Sequence, residues 1–218
     1  MWRKAFLALI VVEVILGLVA YAATSSDTHI FWYLSRTSAL LAYILLFINL
    51  VFGLGLKTKF LDKVSARWQS YDLHQFTALL AMGLITFHIF ILMGDQYMSP
   101  GFKDMLVPMS GAYRPFWTAL GIISFYVLLL ITLSSLLRRF IGQKIWRAIH
   151  MLSFILFYVI LIHFIRAGTD TSNLWVQIMY IFTGAAATGL FLWRFLLAGK
   201  ISPVTQTTQR QIPEDAIK

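Results

Sequence analysis

DLHQFTALLAMGLITFHIFILMG, Asp72 to Gly94, and WRAIHMLSFILFYVILIHFIR, Trp146 to Arg166, are the two stretches on which the reading of this chain turns. Each is apolar and about one bilayer span long, since a helix of roughly 20 residues covers the hydrocarbon core. Each carries a histidine towards either end: His74 and His88 in the first, His150 and His163 in the second. The chain has one other histidine, His29, which reads as a solvated loop residue. An imidazole inside a bilayer is costly and marks function. One such residue can be explained as an interhelical hydrogen bond. Four, matched in depth on two helices, ask for a ligand.

The rest of the chain sets the frame. Of 218 residues, 59% are hydrophobic and 12% charged, with mean hydropathy +0.77. Soluble domains carry about 25% charged residues, so this composition excludes one. We read an all-α integral membrane protein: a six-transmembrane-helix bundle over 1–198, with spans at about 2–22, 30–56, 72–94, 116–137, 146–166 and 174–198. Residues 199–218 form a short polar tail. The first span imitates a signal peptide at Ala20-Tyr21-Ala22, but its apolar run is long for one and Glu13 interrupts it, so a retained helix is expected.

Lysine and arginine orient the bundle. They gather before the first span (Arg3, Lys4), after the second (Lys57, Lys59, Lys63, Arg67), after the fourth (Arg138, Arg139, Lys144, Arg147) and at the end of the chain. The alternate loops hold few. By the positive-inside rule both termini are cytoplasmic. The two histidine helices are the third and fifth spans, so they run parallel, with His74 and His150 towards the cytoplasm and His88 and His163 towards the outside. The formal charge of +9 therefore indicates membrane lipids rather than nucleic acid as the partner. The chain has no cysteine, which rules out disulfides, thiolate-held iron–sulfur clusters and thioether-attached haem.

Imidazole is a common ligand of haem iron. His74 and His88 are 14 residues apart, which on a regular helix leaves them within ~40° of one face and ~21 Å apart along the axis. That arrangement suits two stacked haems. His150 and His163 are 13 residues apart, which leaves them ~140° apart on a straight helix. A locally overwound or kinked helix, or a tilted one wrapping the pair, would be needed to bring them back together.

This histidine pattern, 14 residues on the third span and 13 on the fifth, resembles the ferric reductase-like transmembrane domain. That superfamily includes NADPH oxidases, ferric-chelate reductases and the haem subunit of a bacterial methionine sulfoxide reductase system. The segment Arg114 to Phe154 and the ending HFIRAGTDT, His163 to Thr171, resemble its bacterial branch. The resemblance implies two b-type haems, an inner one on His74 and His150 and an outer one on His88 and His163, in a multi-pass protein of a bacterial plasma (inner) membrane. Two departures matter. No stretch here is long enough for the flavin and nicotinamide domain of the oxidases and reductases, so FAD or FMN would sit on a partner. The sulfoxide-reductase subunit usually lacks a histidine matching His74, so having both points to two haems.

Other residues fit this scheme as supports. Arg36, just inside the outer end of the second span, and Arg166, about one turn beyond His163, suit the propionates of the outer haem, because arginine binds carboxylate with paired hydrogen bonds. Lys144, Trp146, Arg147 and Gln75 suit the inner propionates, Gly83 allows close approach, and Glu13 suits proton transfer near a possible quinone. The loop from Asp95 to Pro115 is long for a helix connection and reads equally as a cap over the outer haem, an acceptor surface or a loop lying at headgroup level.

The expected function is thus that of a di-haem b-type membrane cytochrome. Electrons would come from a separate cytoplasmic flavoprotein or a quinol and go to an extracytoplasmic acceptor: a ferric chelate, oxygen or a redox protein. The alternative is a haem-free transporter or channel that uses the histidines for protons or metal ions. It would be marked by inverted repeats or paired midplane acids, neither of which the sequence displays.

Overall fold

A computed structural model describes residues 29–58, 67–95 and 100–198. Among these residues the chain is helical and contains no strand. The elements are α1 (Ile30–Thr58), α2 (Arg67–Ile91), α3 (Phe102–Leu106), α4 (Pro115–Leu136), α5 (Arg138–Ile141), α6 (Gln143–Ala167) and α7 (Leu174–Ala198), with 3-10 turns at Leu92–Gly94 and Asp170–Ser172. Five of them, α1, α2, α4, α6 and α7, are long and apolar enough to cross a membrane. They coincide with the second to sixth expected spans; the largest difference is the start of α2, at Arg67 rather than Asp72. The expected first span, 2–22 with Glu13, lies outside the described residues, as does the tail 199–218.

Helices are the local answer to these apolar runs because a backbone in lipid must satisfy its own polar groups. Their ends follow residue chemistry. Pro115 opens α4 at a position whose N–H would have no helical partner. Gly142, with φ 79°, makes the turn between α5 and α6, a conformation that residues with a Cβ rarely adopt.

The packing is that of a protein meeting lipid. Ile181 and Leu196 are each 71% exposed, whereas Ser35, Ser38, Ser124, Ser134 and Thr183 are buried. Small and hydroxylated residues let helices approach and hydrogen-bond where lipid supplies no hydrophobic drive between them. α1 and α2 form an antiparallel pair held at one end by Phe31 against Gly94, where a Cβ would stand 2.4 Å from the ring, and at the other by Asn49 against His74. α4 and α6 pair through Trp117 and His163 at one end and Ser135 and Trp146 at the other. Tyr43 of α1 sits at the centre, fully buried, stacked on Phe157 at 5.9 Å and hydrogen-bonded to Thr183 of α7 at 2.5 Å. The helices thus enclose a core with one histidine pair near each end.

Candidate functional site

At one end of the bundle, His88 of α2 and His163 of α6 line the same cavity, of about 290 Å³. Its walls include Ala39, Ala42 and Tyr43 of α1 and Gly121 and Ser124 of α4. The loop after α2 closes it with Pro100, Asp104, Met105, Gly111, Ala112 and Tyr113. That part of the loop therefore lies against the histidine pair. Small residues keep the walls thin. A Cβ on Gly121 would lie 2.5 Å from Cε1 of His163. The Ser124 hydroxyl is buried in the wall without a protein partner.

Both rings are oriented by backbone. His163 Nδ1 lies 2.7 Å from the Trp117 carbonyl oxygen. His88 Nδ1 lies 3.0 Å from the Ser35 carbonyl oxygen and 2.9 Å from its hydroxyl. A carbonyl oxygen only accepts, so Nδ1 must carry the proton in each ring. Nε2 is then left with the lone pair that a metal needs.

At the other end, His74 and His150 face each other with ring centroids 6.1 Å apart. Two imidazoles bonding one metal from opposite sides, through bonds of about 2.0 Å, place their centroids about 6 Å apart. His74 Nδ1 donates to the Asn49 carbonyl at 3.0 Å, and the Asn49 amide donates back to the His74 carbonyl and to Thr77 Oγ1. Gly53 lets this ring lie close to α1, with a Cβ position 3.1 Å from its Cε1. His150 differs from the other three: its Nδ1 is buried with no hydrogen-bond partner. Its ring instead stacks on Trp146 at 5.1 Å and 29°. Trp146 is anchored by its own N–H to Ser135 Oγ at 3.1 Å, with the Arg138 guanidinium 5.1 Å from its ring centroid.

The donor set fits haem. The histidines come in two pairs, His74 with His150 in ring contact and His88 with His163 lining one cavity, and no group of three His, Cys, Asp or Glu suited to a bare metal ion occurs among the described residues. Three rings present Nε2 by the same device, and at both ends a glycine leaves room for the ring. α6 brings its two histidines to different pairs while remaining α-helical from Gln143 to Ala167, with no 3-10 or π segment. The 13-residue spacing is thus accommodated without the overwound segment considered from sequence.

The supporting residues divide. Arg36 is paired with Asp170 through Nε at 2.6 Å and a second contact between Nη2 and Oδ1. Its guanidinium lies 3.8 Å from the Trp32 ring centroid, and it is not among the residues lining the histidine cavity. Arg166 lies over Trp117 and lines a separate cleft with Arg114. Gly83 is buried, Gln75 bonds Tyr71, and Lys144 and Arg147 are exposed. His29 is exposed at the turn before α1. Sequence reasoning missed Gly53, Gly121 and the carbonyls of Ser35, Asn49 and Trp117. The two glycines were visible within apolar runs, but a carbonyl acceptor carries no residue signature.

A multi-pass helical membrane protein with histidines paired at two depths is the class these features define. Residues 38–162, more than half of the chain, match the family model described as ferric reductase like transmembrane component, and the chain belongs to that family. His74, His88 and His150 lie within the matched segment, and His163 one residue beyond it. No curated protein and no solved structure matches the chain.

Proposed function

We propose that this protein is the electron-transfer subunit of a membrane oxidoreductase and holds two b-type haems, one between His74 and His150 and one between His88 and His163. The observation that carries this reading is the pairing itself: of four histidines, two to a helix, His74 and His150 are in ring contact and His88 and His163 line one cavity, with the Nδ1 of three of them tied to backbone carbonyls. Bound haems would supply one-electron redox chemistry at two depths in the bilayer. The chain's own work is to fix the ligands, keep the pairs in apolar surroundings and exclude water. Ser35, Asn49 and Trp117 hold the protons that select the ligating nitrogen. Trp146 holds the fourth ring by its face. Pro100, Met105 and Tyr113, from the described part of the loop after α2, line the His88–His163 cavity.

In the full reading six helices span a bacterial plasma membrane with both termini in the cytoplasm. The donor is a flavoprotein carrying FAD or FMN, or a quinol, at the His74 end. The acceptor is a ferric chelate, oxygen or an extracytoplasmic redox protein at the His88 end. Clusters of lysine and arginine between spans support this orientation.

The test is a reduced-minus-oxidised spectrum of purified protein with haem counted per chain, beside His74→Ala and His88→Ala. Two b-type haems, a different one weakened in each variant, are expected. One haem unaffected by His74→Ala would move the protein towards a mono-haem subunit. No haem under haem-replete expression would overturn the reading in favour of a transporter.

A further inference from the structure

The turn between α4 and α6 carries a charged surface at the His74–His150 end of the bundle. Arg138 and Arg139 lie on α5, Lys144 and Arg147 at the start of α6, and all four are exposed. None of them forms an ion pair with a described residue. Apolar side chains stand among them: Leu136, Leu137 and Ile145 are exposed, and Phe140 is 70% exposed. Gly142, with φ 79°, reverses the chain between the two pairs of cations. The hairpin thus brings cations and apolar side chains together at the end of two spanning helices, the level at which bilayer headgroups lie.

Two of the cations rest on aromatic rings. The Arg139 guanidinium lies 4.5 Å from the Phe140 ring centroid, and that of Arg138 lies 5.1 Å from the Trp146 ring centroid. A guanidinium that lays its face on a ring keeps its N–H edge for oxygen atoms, and phosphate takes arginine through paired hydrogen bonds. Trp146 carries the contact inward. Its N–H donates to Ser135 Oγ at 3.1 Å, and its ring stacks on His150 at 5.1 Å. His150 Nδ1 has no hydrogen-bond partner, so whatever steadies Trp146 steadies this ring.

We propose that the hairpin binds an anionic phospholipid, its phosphate held by the four cations and its acyl chains lying against the apolar side chains between them, and that the bound headgroup fixes His150 through Arg138 and Trp146. A soluble acidic protein would meet the same charge, but the exposed Phe140 and Ile145 beside it, at the end of a membrane span, suit an acyl chain. The lipid site stands apart from the electron-transfer reading; its effect on His150 rests on that reading.

The experiment places full-length protein in phosphatidylcholine nanodiscs with a trace of spin-labelled phosphatidylglycerol or spin-labelled phosphatidylcholine, and EPR reads the motionally restricted fraction of each. Haem per chain, counted on the same samples, judges the electron-transfer reading separately. Wild type is expected to restrict phosphatidylglycerol about threefold more than phosphatidylcholine. The preference should fall to parity in Arg138→Gln/Arg139→Gln and in Lys144→Gln/Arg147→Gln, and stay unchanged in Lys103→Gln, an exposed charge outside the hairpin. Where a double variant inserts poorly, wild type in about 1 M salt gives the same answer, because screening then shortens to about 3 Å. Unlabelled phosphatidylglycerol should narrow the low-spin signal of one haem in wild type and not in Arg138→Gln. Equal restriction of the two lipids by wild type, or a preference untouched by both double variants and by salt, would overturn the site. A haem signal indifferent to phosphatidylglycerol would overturn the coupling to His150. No lipid preference, together with slower reduction of the double variants by reduced flavodoxin, would give the face to an acidic protein and overturn the lipid assignment.

Discussion

Replacing Gly121 with alanine should displace His163. The new Cβ would lie 2.5 Å from the ring's Cε1, 2.8 Å from Nε2 and 2.9 Å from Nδ1. Carbon atoms in ordinary contact are about 3.5–4.0 Å apart, so one partner must retreat by about 1 Å. The Cβ is fixed by the backbone of α4, and the ring is held 2.7 Å from the Trp117 carbonyl oxygen. A retreat of about 1 Å would open that bond to about 3.7 Å, beyond hydrogen-bonding range. The lost bond costs about 0.5–1.5 kcal/mol, and overpacking costs about 1–3 kcal/mol more, for a total of about 1.5–4.5 kcal/mol. The same change at Gly53 puts a Cβ 3.1 Å from Cε1 of His74, where a shift of a few tenths of an ångström suffices. At Gly189 nothing lies within 4 Å, and the better helix propensity of alanine should make that variant neutral or slightly more stable. Thermal unfolding and haem per chain, measured on all three, should rank Gly121→Ala far worst and Gly189→Ala mildest. A Gly121→Ala protein within about 0.5 kcal/mol of wild type, with an unchanged spectrum, would refute the placement of α4 against His163.

Trp146→Ala should weaken or shift one of the two haem signals while Trp146→Phe preserves it, because His150 is held by a ring face rather than by a hydrogen bond; unchanged midpoint potentials in both would show that the stack does not position the ligand. Asn49→Ala removes two side-chain hydrogen bonds, a loss of about 1–3 kcal/mol, yet keeps the carbonyl that holds His74; melting temperature should fall without loss of haem, and haem loss would contradict the backbone assignment. Arg36→Gln and Asp170→Asn break a partly exposed pair, so a double-mutant cycle by thermal unfolding should give a coupling of up to about 1 kcal/mol; a coupling of zero would mean the pair does not tie α1 to the turn before α7. Tyr43→Phe removes the buried bond to Thr183 and should cost about 1 kcal/mol, against no change if the hydroxyl is not used.

Much of the architecture was readable before the structure. The five spans among the described residues fall where hydropathy put them, because a long apolar run in lipid has only the helix available to it. The histidine pairs also follow from spacing, since position along a helix sets depth. What reading residues one at a time does not reveal is their partners. Arg36 has the chemistry to bind a propionate, but it is engaged by Asp170, 134 positions away. Arg166 was considered alone, whereas it lies beside Arg114, brought there by the pairing of α4 with α6. The 13-residue spacing seemed to require an overwound, kinked or tilted helix; α6 carries His150 to His74 and His163 to the His88 cavity with no 3-10 or π segment.

Composition and order along the chain, by themselves, determined that this is a helical membrane protein with imidazoles at two depths. Those properties are local: each depends on a residue's transfer into lipid and its place along one helix. Tertiary structure alone decided which carbonyl orients three of the rings and which glycine makes room for two of them. The acceptors of His74, His88 and His163 lie 25, 53 and 46 positions away, and a peptide carbonyl is the same group in every residue. Only the packing of one helix on another selects among them.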